Sequence, residues 1–465
     1  MAPEMTGETV SQTLAGFAHN LTYEDVPGDV CARTRLLMLD GLGIALAASR
    51  YPFAENIRTG LINLGGEGAC SVIGMDTRLQ ARDAVVMNGS LIHGLDFDDT
   101  HMKSVVHATA ASLPTALVMA EQQDVSGQEL LLSYLIGMEV AIRIGMAANF
   151  GFHHHGMHAT GVVGHFAAAL IAGRLLGLSE DQMMAAQGVV GSTAMASQEF
   201  VEDGAWNKRL HPGWAGVAGM TAAALTGAGF VAPSKPYEGR FGLFRSLLNV
   251  TDDDLDLSAI TDDLGARWES VQSAIKPYPT CHFTHAAADS ALILAKRHQI
   301  DVTDIASINA RIPEETIPVV AEPVENKLKP ASDYDAKFST QYIVAAAFIR
   351  GRFGLAELED DVLSNPEILS LARKVGCTAD PESEFPESFP GGLGVTMKSG
   401  ETYDHYEPVN RGAGDRALSE SEIVDKFTAN AHLAVSSERA EKIRDSVLGI
   451  ENVSVRDLTT LLAGY

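Results

Sequence analysis

The feature that most constrains this chain is a pair of long apolar runs with helical spacing. They are "GQELLLSYLIGMEVAIRIGMAA" (residues 127–148) and "GVVGHFAAALIAGRLLGL" (161–178). Apolar residues recur three and four apart, which lines them along one side of a helix. Both runs are rich in Ala and Gly, and small side chains let helix axes approach closely. A tightly packed helical domain is therefore predicted. Ser126 with Glu129, and Ser179 with Gln182, have capping-box spacing at helix starts. Gly177 suits the residue just past a helix end. Roughly the first 270 residues read in this way.

The pattern changes near "KPYPTCH" (276–282). "ASINARIPEE" and "GGLGVTMKSGETYDHYEP" alternate as strands do, with Lys398 to Glu401 as a hairpin turn. Between them lie a loop-like "PVENKLKPASDYDAKFS" and a helical "TQYIVAAAFIRG". After "NRGAGD" the chain returns to helix, with a further capping box from Ser419 to Glu422. The expectation is a mainly α protein. Residues 1–272 and 413–465 form one all-helical domain, and 273–412 form a smaller inserted α+β domain.

Charge and cysteine usage exclude several classes. A net charge of −26 argues against nucleic acid or an anionic membrane surface as a partner. Cys31, Cys70, Cys281 and Cys377 are widely spaced with no CxxC, so neither a zinc site nor a disulfide framework is expected. The opening "MAPEMTGETVSQ" lacks the pattern of a secretory leader. No uninterrupted apolar stretch reaches membrane-spanning length. The cytoplasm is the expected compartment.

Five segments concentrate titratable groups. "HGLDFDDTHMKSVVHATAASLP" (93–114) carries Asp96, Asp98, Asp99, Thr100, His101 and His107. Asp98 and Asp99 are adjacent and do not face one way on a helix, which weighs against a shared metal ion. Asp96 and Thr100 are four apart and on a helix would share a face. "GFHHHGMHATGVVGH" (151–165) holds three successive histidines. Neighbours on one backbone rarely chelate one ion, and no H-E-x-x-H accompanies them. His158 differs, because it precedes a helix start where free N–H groups favour an anion. "NKRLHPGWAG" (207–216) sets Lys208 and Arg209 side by side as a candidate carboxylate clamp. "IKPYPTCHFTHAA" brings Lys276 and His282, and "YDAKFSTQY" brings Tyr342 at the head of an apolar helix. No GxGxxG, GxxxxGK[ST] or GxSxG is present, so the expected cofactor is none, the expected metal is none, and side chains carry the chemistry.

Taken in order, these segments resemble the MmgE/PrpD family over essentially the whole chain. The carrying stretches are "NGSLIHGLDFDDTH" with the later "HAT", "GMHATGVVGHFAAA", "NKRLHPGWAG", "KPYPTCHFTHAA" and "AKFSTQY". The family commonly has "HPS" or "HPT" where this chain reads "HAT". Its activities include 2-methylcitrate dehydration, cis-aconitate decarboxylation and iminodisuccinate epimerisation. The resemblance implies a helical domain built from both chain ends, an α+β lid, a homodimer, and a cleft needing no metal or organic cofactor. It implicates Asp96, Thr100, His107, His158, Lys208, Lys276, His282 and Tyr342.

These reactions share a difficult step, the making or breaking of a bond next to a carboxylate through a carbanion. Lys208 and Lys276, with a protonated histidine, are expected to stabilise it, each well-placed donor supplying about 3–4 kcal/mol. His107 or His158 would move the proton. Asp96 would orient a histidine or act as partner acid, Tyr342 or His282 would assist the leaving group, and Thr100 would bind a substrate carboxylate. The expected function is a lyase of a small anionic di- or tricarboxylate, dehydratase ahead of decarboxylase. An isomerase or epimerase is the alternative, and a non-catalytic helical binding protein is the third reading.

Overall fold

The two apolar runs become the helices Gly127–Ala147 and Ala159–Leu175, packed among Ala81–His93, Ala108–Gln123 and Asn207–Gly227. The computed structural model describes residues 8–250 and 256–464, and most of the N-terminal stretch read for a leader lies outside them. Close approach depends on glycine where Ala81–His93 meets Asn207–Gly227. A Cβ on Gly89 would stand 2.7 Å from the Cα of Gly213, so a larger residue would part the helices.

The helix Gly127–Ala147 is long and apolar enough to cross a membrane by length and composition alone, but 89% of its apolar window is buried inside the protein. It also carries a buried Arg143–Glu139 pair at 3.2 Å, with Glu139 accepting the main-chain N–H groups of Glu269 and Ser270. It is a core helix.

Local signals in the sequence act as their chemistry requires, with one exception. Ser179 with Gln182 and Ser419 with Glu422 form reciprocal capping boxes. Gly177 has φ +67°, and the N–H groups of Gly177 and Leu178 close a Schellman motif on Arg174 and Gly173. Ser126 accepts from the N–H of Glu129, but the Glu129 carboxylate is taken by Arg174 at 2.5 and 3.0 Å, so the return bond of the box is absent.

One apolar core runs through residues from Val10 to Ile275 and takes in residues from Leu418 to Leu462, joining the two chain ends. A second core belongs to the middle of the chain. There a four-stranded sheet has the order Val375–Ala379, Ile305–Ile312, Gly391–Met397, Thr402–Glu407, with the first pair parallel and the others antiparallel. The helices His285–His298 and Thr340–Arg350 pack with it. The hairpin turn falls at Lys398 to Glu401, where Met397 N–H donates to the Glu401 carbonyl. The sequence reading missed Val375–Ala379, a strand of only five residues that include a glycine. It also missed a small hairpin, Glu67–Ser71 with Arg78–Leu79, inside the helical part.

The segment after His93 corrects a further expectation. Asp96 and Thr100 do not share a helix face, because the helix ends at His93 and Asp96 has φ +51°. Thr100 instead makes a two-way main-chain bridge with Ala274, 2.9 Å in each direction. This irregular loop is thereby stitched to the junction where the second unit begins.

Candidate active site

A cavity of about 520 Å³ opens between the helical part and the inserted unit. Asp96, Thr100, His107, His158, Lys208 and His282 all line it. Residues up to 186 positions apart in the chain thus meet at one surface.

Asp96 is gripped from two sides. Lys208 Nζ donates to its Oδ2 at 2.7 Å and Lys276 Nζ to its Oδ1 at 2.6 Å, and Lys276 also donates to its main-chain carbonyl at 3.0 Å. Burial opposes the charge on Asp96, yet the ammonium groups of Lys208 and then Lys276 hold its carboxyl well below the usual carboxylate range. Asp96 is therefore an anion and not a partner acid, which corrects that expectation. The group of three carries one negative and two positive charges, a surplus of one. Lys276 does not line the cavity and acts from behind Asp96.

Two histidines sit at helix starts facing this group. His107 is the N-cap of Ala108–Gln123 and His158 the N-cap of Ala159–Leu175. His107 Nδ1 lies 2.8 Å from the Asp99 carbonyl and 3.1 Å from Thr100 Oγ1. A carbonyl only accepts, so Nδ1 carries the proton and Nε2 the lone pair. Sharing that N–H leaves the Thr100 hydroxyl proton for the cavity. His158 Nδ1 lies 3.2 Å from His211 Nδ1, and its buried Nε2 has no partner. Burial, then the charge of Lys276, holds His107 well below the usual histidine range; burial, then His93, does the same for His158. Both rings are neutral, where a protonated histidine was expected.

His282 receives an N–H from the Asn410 side chain at Nε2, and its buried Nδ1 is without a partner. Tyr342 is not brought to the site. It is fully buried in the core of the inserted unit, and its hydroxyl donates to the Glu357 carbonyl at 2.7 Å. Its helix, Thr340–Arg350, packs it into that core, and the leaving-group role falls away. Arg209 also turns from the cavity. It donates to the Gly94 carbonyl at 2.9 Å and its guanidinium lies over the rings of Phe53 and Tyr334. Of the proposed clamp, Lys208 alone reaches the cavity.

Several participants were missed by the sequence reading. His93 pairs with Asp98 at 2.8 Å and its ring lies 5.0 Å from that of His107 and 5.3 Å from that of His158. Asp98 is thus structural as well as charged: burial opposes its charge, but His93 and His107 hold it below the usual range. Asp99 differs, since burial and then the charge of Asp98 push it up to about 7. Lys337, two residues after Asp335 in "YDAKFS", is buried and donates to the carbonyls of Leu95 (2.8 Å) and Pro279 (3.1 Å). It ties the loop carrying Asp96 to the inserted unit, and burial brings it down to about 7. A lysine next to an aromatic in a loop-like segment was the available signal. Among the described residues no group of three or more His, Cys, Asp or Glu is placed to hold a metal ion.

Comparison with known proteins finds two family models that together span most of the chain. Residues 12–256 match the MmgE/PrpD N-terminal domain and residues 278–452 the MmgE/PrpD C-terminal domain. The chain is 27% identical to the cis-aconitate decarboxylase-like protein oryM of Aspergillus oryzae, over 98% of this chain and 97% of that protein. It is 27% identical to the cis-aconitate decarboxylase of Aspergillus terreus, over 97% and 95%. It is 25% identical to the mitochondrial 2-methylcitrate dehydratase of Yarrowia lipolytica, over 94% and 86%. With both domains matched in order along a chain whose two units enclose a histidine- and lysine-lined cavity, this protein belongs to the MmgE/PrpD family and is an enzyme of its lyase type.

Proposed function

We propose that the chain is a decarboxylase of a small unsaturated tricarboxylate of the cis-aconitate kind, working with side chains alone. The observation that carries this reading is the surplus positive charge of Lys208 and Lys276 around the single carboxylate Asp96, set in a cavity with basic histidine nitrogens. Substrate carboxylates would meet Lys208 and the Thr100 hydroxyl. One carboxylate leaves as CO₂, and the electron pair of the broken C–C bond stays on carbon and spreads into the adjoining unsaturated acid. The surplus charge offsets part of the negative charge that builds up on the substrate, where little water competes. His107 or His158 then delivers a proton to carbon. A bound polyanion raises the proton affinity of a neutral ring beside it, so the histidine takes that proton from solvent as substrate binds. One anion and one proton become CO₂ and product.

Dehydration, the reading favoured by sequence, needs in addition an acid for the departing hydroxyl. Asp96 is ionised and Tyr342 is remote, which weakens that reading. His282, with its unpaired Nδ1 at the cavity, is the observation that still favours it. The test is turnover of cis-aconitate and 2-methylcitrate by the purified chain. CO₂ from the first, reduced about 100-fold or more by Lys208→Ala, is the expected result. Water loss from the second without CO₂ selects dehydration. No turnover, or only proton exchange at a substrate carbon in deuterated water, contradicts the lyase reading.

A further inference from the structure

The cavity is chemically two-sided. Asp96, Thr100, His107, His158 and Lys208 form its polar pole, linked by the contacts above. Phenylalanines line the cavity beside that pole, Phe338 lying 5.1 Å from Lys208 Nζ and Phe200 6.3 Å from the His158 ring. The His282 ring lies 5.4 Å from Phe389, which is 5.1 Å from Phe283; Phe385, which does not itself line the cavity, packs 5.6 Å from Phe283 and 5.1 Å from Phe150. Phe150 stacks on His153 at 5.1 Å, so these rings reach back to the helical part. Val105, Phe200 and Val319 continue the apolar surface.

Charge follows the same division. Among the described residues Lys208 is the one lysine or arginine lining the cavity. Glu199, Glu202 and Glu315 line its exposed side. A carboxylate placed far from Lys208 would meet no ammonium or guanidinium, only phenylalanines, the neutral groups of Ser197 and Gln198, His153, His154 and the like charge of the glutamates.

We propose that the substrate carries an uncharged apolar chain, alkyl or aryl and longer than methyl, beside its carboxylates. The carboxylates take the pole of Lys208, Thr100 and His107, and the chain lies along Phe283, Phe389 and Val319. This rests on the lyase reading and names the substrate class for that same cavity.

The test separates the two claims. Binding of succinate, butylsuccinate and hexylsuccinate to the full chain is measured by calorimetry, needing no turnover. Affinity is expected to rise with chain length, by up to about fourfold per methylene buried. Val319→Trp, which fills the apolar side from its partly exposed edge, is expected to flatten that rise while succinate still binds. Equal or weaker binding of the alkylated acids overturns the apolar-chain proposal and leaves the lyase reading standing. Failure to bind any of the three overturns both. Preserved chain-length dependence in Val319→Trp also overturns the proposal, because the chain then lies elsewhere.

Discussion

His107 Nδ1 lies 2.8 Å from the main-chain carbonyl of Asp99, and this bond decides which nitrogen of the ring is basic. The proton is fixed on the buried side, so Nε2 is left as the base of the cavity. His107→Gln is expected to lower kcat/KM by about 100-fold or more while keeping much of the ring's bulk. Steady-state kinetics on whichever acid the chain turns over checks this. Activity within a few-fold of the parent would remove His107 from the chemistry.

Asp96 and its two lysines make a prediction about stability that runs against habit. Removing Lys276 leaves a balanced pair, whereas Asp96→Asn leaves two ammonium groups facing each other in a buried site. Asp96→Asn is therefore expected to cost about 3 kcal/mol or more, and Lys276→Met clearly less. Denaturant unfolding of both variants orders them. Lys276→Met should also weaken carboxylate binding, because the surplus charge is gone.

Tyr342→Phe should be nearly silent in catalysis. It removes a hydrogen bond to the Glu357 carbonyl in the core, costing about 1 kcal/mol of stability. A loss of activity approaching 100-fold would return Tyr342 to the site and contradict its placement.

How much of this was legible in the sequence follows physical scale. Helix periodicity and caps are local, so the helical part could be read, including the Schellman glycine Gly177. The Glu129 half of a capping box could not, because Arg174 lies 45 positions away. Motif segments located Asp96, His107, His158, Lys208 and His282, yet within "YDAKFSTQY" they pointed to Tyr342 rather than Lys337. Which side of a segment faces a cavity is set by tertiary packing, and spacing alone does not record it. The left-handed backbone at Asp96 was hidden for the same reason: no glycine or proline marks that residue.

Buried histidines give the fold an acid weakness. Burial brings His101, His165 and His211 each down to about 4. An unfolded chain protonates these rings below about pH 6.5, whereas the folded chain keeps them neutral to about 4. Unfolding therefore takes up protons, and stability falls as pH drops through that window, by about 1.4 kcal/mol per pH unit for each fully discriminated ring. Tm should fall between pH 6.5 and about 4.5, less steeply than the histidines alone require, because Asp99, pushed up to about 7, opposes one of them. His165→Gln should make the fall shallower. A Tm unchanged from pH 7.5 to 5 would contradict the neutral assignment.

The most direct measurement is a crystal structure with tricarballylate, a saturated tricarboxylate that cannot react. One carboxylate is expected within about 3 Å of both Lys208 Nζ and Thr100 Oγ1, with the carbon skeleton beside His107 Nε2. A ligand seated outside this cavity, or one that leaves Lys208 and Thr100 untouched, would contradict the account.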